Sequence, residues 1–116
     1  MGLGTRTAER PSLTRELDVK IANGFDPSNA DDHGQNAPEI IAMTKVGLPP
    51  VEAIRAATLS AAELMGWQDE IGSIEAGRHG DIIAVSSDPL ADVGELEHVE
   101  FVMKGGAVVR NDVAVH

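Results

Sequence analysis

From residue 36 onward the apolar residues in this sequence change their period once, close to residues 67–70, and that change limits what the protein can fold into. Before it, apolar positions recur at helical spacing: Ile40, Met43 and Val46, then Val51 and Ile54, then Ala61, Ala62, Leu64 and Met65. After it they come in short β-branched runs, at Ile71–Ile74, Asp81–Val85, Val99–Met103 and Ala107–Arg110. A spacing of three and four places one stripe of a helix on a core, whereas short apolar runs bounded by turn formers read as strands. The fold is therefore of α/β class, with helices preceding strands from residue 36 onward.

The punctuation agrees with the periods. Asn36 is a candidate N-cap, Glu39 stands at capping-box spacing from it, and Pro38 suits a first turn. Gly47 reads as the stop of that helix. Pro49-Pro50 opens a second helical stretch, which Thr58 and Ser60 interrupt; Ser60 with Glu63 recaps a third, and Gly66 ends it. Gly105-Gly106 lies between two β-branched runs. Glycine accepts the positive φ that a type I′ turn demands, so this pair predicts a hairpin. Upstream of the helices, Leu17-Asp18-Val19-Lys20-Ile21 alternates apolar and polar residues and predicts a strand ending near Ala22. A polar loop covers residues 24–35. Three segments result: a flexible lead-in over 1–16, a strand, loop and helices over 17–68, and strands over 69–116.

Composition removes several function classes. With two Phe, one Trp and no Tyr, the protein lacks the exposed rings on which single-stranded bases stack. The formal net charge is −10, and beyond residue 20 five basic groups face sixteen acidic ones. Such a surface repels phosphate backbones and anionic headgroups, so neither nucleic acid nor membrane is an expected partner. The absence of cysteine excludes disulfides, thiolate nucleophiles and Cys-ligated zinc. The first fifteen residues contain no apolar signal core, and no stretch reaches the ~18 apolar residues of a membrane span. The expectation is a soluble, cytoplasmic protein.

From about Val19 to Arg110 the sequence resembles the C-terminal third of the amidohydrolase superfamily, in its imidazolonepropionase-like and prolidase-like (Xaa-Pro dipeptidase-like) branch. The block GLPPVEAIRAATLSAAELMG (47–66) is similar to that family's last barrel helices. IGSIEAGRHGDIIAV (71–85) is similar to its return into a small β-sandwich, and SSDPL followed by VEFVMKGGAVV to the closing strands of that sandwich. No block is a sharp motif alone; their order and spacing carry the likeness. The resemblance implies the last strand and helices of a (β/α)8 metal-dependent hydrolase barrel, followed by part of a β-sandwich. It also implies hydrolysis of a C–N bond in a small amide, dipeptide or cyclic amide. One or two divalent metals, often zinc, would lower the pKa of bound water from ~16 to near 7.

The family's metal ligands are a His-x-His, two later His, often a bridging Lys, and an Asp after the eighth strand. Of these the resemblance assigns only the Asp to this sequence. Asp26 sits in Gly24-Phe25-Asp26, where the family commonly has Gly-Thr-Asp, and is implied to be a metal ligand and the proton acceptor of the attacking water. The other reading of Asp26 is an Asx-turn before Pro27. His33-Gly34-Gln35-Asn36 matches a His-Gly-x-Asn of prolidase-like members and implies a substrate contact at His33; the other reading is an exposed loop histidine. A further possibility is that Asp26, Asp31, Asp32 and His33 bind a metal by themselves. His79, His98 and His116 form no metal-binding spacing, no His-x-His occurs, and none of the three lysines, Lys20, Lys45 and Lys104, stands where the family has its bridging lysine.

With most of the ligand set absent, the isolated protein is expected to be inactive. A strand over 17–21 without neighbours would leave open edges, so the protein is expected to bind the rest of a barrel or a second copy of itself as a homo-oligomer. The alternative is a non-catalytic structural or binding module derived from the same family.

Overall fold

A computed structural model describes residues 19–113. Helix α1 (Ala37–Lys45) starts directly after Asn36, with Pro38 in its first turn. Asn36 occupies the cap position but has helical backbone angles, and its side chain makes no hydrogen bond as a cap. Proline, which needs no donor partner in the first turn, defines this start more than the asparagine does. The end of α1 follows glycine chemistry. Gly47 has φ +111°, the Gly47 N–H donates to Thr44 O at 3.2 Å, and the Leu48 N–H donates to Met43 O at 3.1 Å. This pair of bonds is a Schellman closure, which satisfies two carbonyls that the helix end would leave open.

Helix α2 (Pro50–Ala57) begins on the second of two prolines, and α3 (Leu59–Met65) follows after a break at Thr58. The break was expected, but its chemistry differs from a Ser60–Glu63 cap. The Thr58 hydroxyl donates back to Ile54 O at 2.8 Å, and no side chain caps the N-terminus of α2 or of α3. Gly66, at φ +76°, closes α3 with the same pattern as Gly47: Gly66 N–H to Glu63 O and Trp67 N–H to Ala62 O.

Residues 71–80 correct the expectation of a strand over Ile71–Ile74: they form bends and turns. Gly72 has φ +101°, which an extended strand does not use. The reason is close packing, because a Cβ built on Gly72 would lie 2.9 Å from the Ala62 Cβ of α3. The strands that do form are β1 (Ile82–Val85), β2 (Val99–Lys104) and β3 (Ala107–Asn111), in the antiparallel order β1-β2-β3. Gly105 and Gly106 make the β2–β3 turn with φ +56° and +82°, both positive as type I′ requires. The Gly105 N–H donates to Asp81 Oδ1 and the Gly106 N–H to Gly80 O, fastening the turn to the entrance of β1. A 3-10 turn over Val93–Glu97, which the periodicity did not signal, joins β1 to β2; Asp92 caps it by accepting from the Gly94 N–H.

The expected strand over Leu17–Ile21 lies partly outside the described residues. From Val19 onward the segment belongs to no strand. A strand is defined by the ladder it shares, and among the described residues no strand pairs with this segment, whose neighbours are helices. The segment is nevertheless extended in its exposure: Ile21, Asn23, Phe25 and Pro27 are half-buried, while Ala22, Gly24, Asp26 and Ser28 are exposed. The lead-in over 1–16 falls outside the described residues.

The buried apolar residues among those described are Leu48, Ala53, Ala56 and Ala62, all in the helical part. Three are alanines, whose small side chains let α2 and α3 lie close to each other and to the segment 19–27. The sheet has no comparable cover. Every residue of β3 is exposed, and Ile83, Val108 and Val109 stand open to solvent along with Leu64, Met65, Trp67 and Ile74. The expected β-sandwich is thus present among the described residues as one three-stranded sheet, not two packed layers. No helix there is long and apolar enough to cross a membrane.

Candidate functional site

The candidate site grows from the extended segment 19–27. Its inward side groups rest on the helical core, and the Asn23 N–H donates to the Ala56 carbonyl at 2.8 Å, close to the end of α2. Because side groups alternate along an extended backbone, seating Phe25 inward turns Asp26 outward. The phenyl ring that replaces the family's threonine therefore lies on the face opposite the carboxylate.

Beyond Pro27 the loop is closed by its own polar residues. The Ser28 N–H donates to Asp32 Oδ2 at 3.1 Å, and the Asp31 N–H donates to Asn29 Oδ1 at 2.9 Å. Asn29 thereby caps a short 3-10 turn over Ala30–Asp32. An Asx-turn at Asp26 would use the Ser28 N–H, and Asp32 has taken that donor. Among the described residues the Asp26 carboxylate is left exposed and free of hydrogen bonds, so the turn reading loses its support.

His33 follows the 3-10 turn. Its N–H donates to Ala30 O at 3.3 Å, and its imidazole is exposed. Gly34, at φ +89°, then turns the backbone toward the start of α1.

A divalent metal is part of what the resemblance implies, so the donors present can be tested against it. Among the described residues no three His, Cys, Asp or Glu residues come together to hold an ion. The loop cluster of Asp26, Asp31, Asp32 and His33 is thereby corrected: Asp32 is engaged in closing the loop, and the four do not converge. The described residues do not by themselves make a metal centre, and Asp26 can be at most one donor of a larger set.

A broad hollow lies elsewhere among the described residues. A groove of about 1020 Å³ runs between the start of α1, the second 3-10 turn and the sheet, lined among others by Asn36, Ile40, His98, Glu100 and Arg110. Neither Asp26 nor His33 lines it, although Gly34 and Gln35 do. Sequence reasoning missed this groove because its walls come from segments distant in the sequence, Gly34–Ile40 on one side and Ile83 with Leu96–Asp112 on the other. His98 reads as an isolated histidine until β2 and β3 bring Glu100 and Arg110 to the same wall.

With this geometry in place, similarity to known proteins becomes informative. The model of the amidohydrolase family matches residues 3–109. An imidazolonepropionase of Geobacillus kaustophilus is 29% identical, over 98% of this protein and 28% of its own length. An adenine deaminase of Cereibacter sphaeroides is 36% identical, over 72% of this protein and 14% of its own length. Among solved structures, a Xaa-Pro dipeptidase with methionine bound in its active site superposes with a TM-score of 0.80 at 36% identity, covering 90% of this protein and 25% of that one. A prolidase complexed with N-methylphosphonate-L-proline gives 0.78 at 30% identity, covering 90% and 26%. The protein spans about a quarter of the length of these imidazolonepropionase and prolidase relatives. The order of its elements, the sequence that forms them and the family match converge: the protein belongs to the amidohydrolase family, in its imidazolonepropionase-like and prolidase-like branch.

Proposed function

We propose that this protein is the C-terminal part of a metal-dependent amidohydrolase, contributing the last strand and helices of a (β/α)8 barrel and a portion of its β-sandwich. The parent enzyme hydrolyses a C–N bond of a dipeptide, cyclic amide or related small amide. Asp26 accepts the proton of the attacking water and gives one carboxylate to a divalent metal, zinc by family habit, whose other ligands come from the rest of the barrel. His33, seven residues further along the same loop, contacts the substrate.

The observation that carries this reading is the state of Asp26. It ends an extended segment, faces out, and has no hydrogen-bond partner among the described residues, while the local donor that could have occupied it is bound to Asp32. The likeness to a Xaa-Pro dipeptidase and to an imidazolonepropionase supports the reaction class, since both names denote hydrolysis of small C–N substrates. A general base of this kind contributes about 10²–10⁴-fold to a rate.

The test is a chimera in which this sequence replaces the matching quarter of the solved Xaa-Pro dipeptidase. Hydrolysis of Xaa-Pro dipeptides, or of another small amide in a panel, by the chimera supports the reading. A folded, metal-loaded chimera that hydrolyses none of them contradicts it.

A second reading is a non-catalytic binding module. The groove between α1 and the sheet favours it, because it is lined by described residues of this protein and does not include Asp26.

A further inference from the structure

The extended segment that carries Asp26 also contains the only Asn-Gly pair in the sequence, Asn23-Gly24. A backbone amide can attack the carboxamide carbon of a preceding asparagine when that amide is free and unshielded. Three observations meet at this pair. Gly24 is exposed, has no Cβ to screen its nitrogen, and would have nothing within 4 Å of one. Its N–H donates no hydrogen bond among the described residues, because the segment belongs to no ladder. The Asn23 carboxamide is likewise without a hydrogen-bond partner there, since the bond to Ala56 uses the backbone N–H of Asn23.

The other asparagines lack this combination. Asn29 precedes Ala30, and its Oδ1 already accepts from the Asp31 N–H. Asn36 precedes Ala37 at the start of α1. Asn111 ends β3, precedes Asp112, and accepts from the Val113 N–H.

We propose that Asn23 is a site of spontaneous deamidation. The Gly24 nitrogen bonds to Asn23 Cγ, the Cγ–Nδ2 bond breaks, and Nδ2 leaves as ammonia carrying the proton from the Gly24 N–H. The resulting cyclic imide is opened by water. Cleavage of its Cγ–N bond gives aspartate; cleavage of the bond between the backbone carbonyl carbon and nitrogen gives isoaspartate, which routes the backbone through Cβ and Cγ. Either product adds a negative charge three residues before Asp26. The isoaspartate also inserts one carbon between the residue tied to Ala56 and the outward-facing carboxylate. The modification does not depend on the reading of Asp26 as a catalytic group, and its test has no catalytic readout.

The experiment incubates the full-length protein at mildly alkaline pH and follows each asparagine by peptide mapping with mass spectrometry. Asn23, Asn29 and Asn36 fall in one tryptic peptide, so two serve as internal controls for the third. Asn23 is expected to convert several-fold faster than the others, to yield aspartate and isoaspartate together, and to take up one oxygen from isotopically heavy water. Gly24→Ala, which meets open space, should slow Asn23 to the rate of the controls. Conversion of Asn23 no faster than Asn29, or an undiminished rate in Gly24→Ala, overturns the proposal.

Discussion

The backbone N–H of Asn23 donates to the carbonyl oxygen of Ala56 across 2.8 Å, tying the segment that carries Asp26 to the last residues of α2. Ala56 is itself 2% exposed, so the tie is rooted in the helical core. The ionic link along the same segment, Lys20 to Glu63, is of another kind, with both groups largely in solvent. Exposed ion pairs contribute at most about 1 kcal/mol, because water screens them and two long side groups must be ordered. Glu63→Gln is therefore expected to change the urea midpoint little and to leave hydrogen exchange at the Asn23 amide unchanged. Loss of protection at that amide would show that the ion pair, not the core, holds the segment.

Gly72, packed against the last helix, is expected to tolerate replacement poorly. A methyl group there would meet the Ala62 Cβ at 2.9 Å and would also have to adopt φ +101°. Left-handed backbone costs a non-glycine residue roughly 1–2 kcal/mol, and overpacking typically about 1–3 more. Gly77 supplies the control, with φ +88° but open space around it. Urea unfolding should show Gly72→Ala clearly more destabilised than Gly77→Ala.

Gly80 carries a different constraint. A Cβ there would fall 2.9 Å from the Gly106 nitrogen, the same nitrogen that donates to Gly80 O. Backbone cannot move aside as a flexible side group can, so Gly80→Ala should break this fastening between the β2–β3 turn and β1. The expected loss is that of one hydrogen bond plus overpacking, roughly 2 kcal/mol. Hydrogen exchange should speed up at the Gly105 and Gly106 amides before it does in α2.

Self-association is expected of the free protein. Leu64, Met65, Trp67 and Ile74 are more than half exposed, and β3 is an open edge with Val108 and Val109 uncovered. Exposed apolar surface and unpaired strand edges both favour association. Light scattering should return a mass above the 12.2 kDa of one copy. A monodisperse single copy would contradict this expectation.

The parts of this fold that were legible from sequence are those fixed by local chemistry. Gly47 and Gly66 close helices, the Gly105-Gly106 pair turns a hairpin, and the β-branched runs at 82–85 and 99–104 pair, each for reasons contained in a few neighbouring residues. What was not legible depends on distant partners. Ile71–Ile74 has the composition of a strand, yet contact between Gly72 and Ala62 bends it. Val19–Ile21 alternates like a strand but shares no ladder among the described residues, and alternation specifies a face, not a neighbour. At the site, the family pattern pointed to Asp26, but only the three-dimensional fold shows that Asp32 removes its Asx-turn donor. The groove around His98 and Arg110 was invisible because no short window of sequence contains both walls.

The central claim is that Asp26 serves as a proton acceptor and metal donor once the rest of a barrel is present. The most direct measurement compares kcat for amide hydrolysis by the dipeptidase chimera with that of its Asp26→Asn form, with metal content determined on both. The account predicts a loss of about 10²-fold or more in kcat together with reduced metal occupancy, since asparagine keeps the shape but neither accepts a proton nor carries the charge. A chimera whose Asp26→Asn form holds the same metal and turns over at the same rate would contradict it.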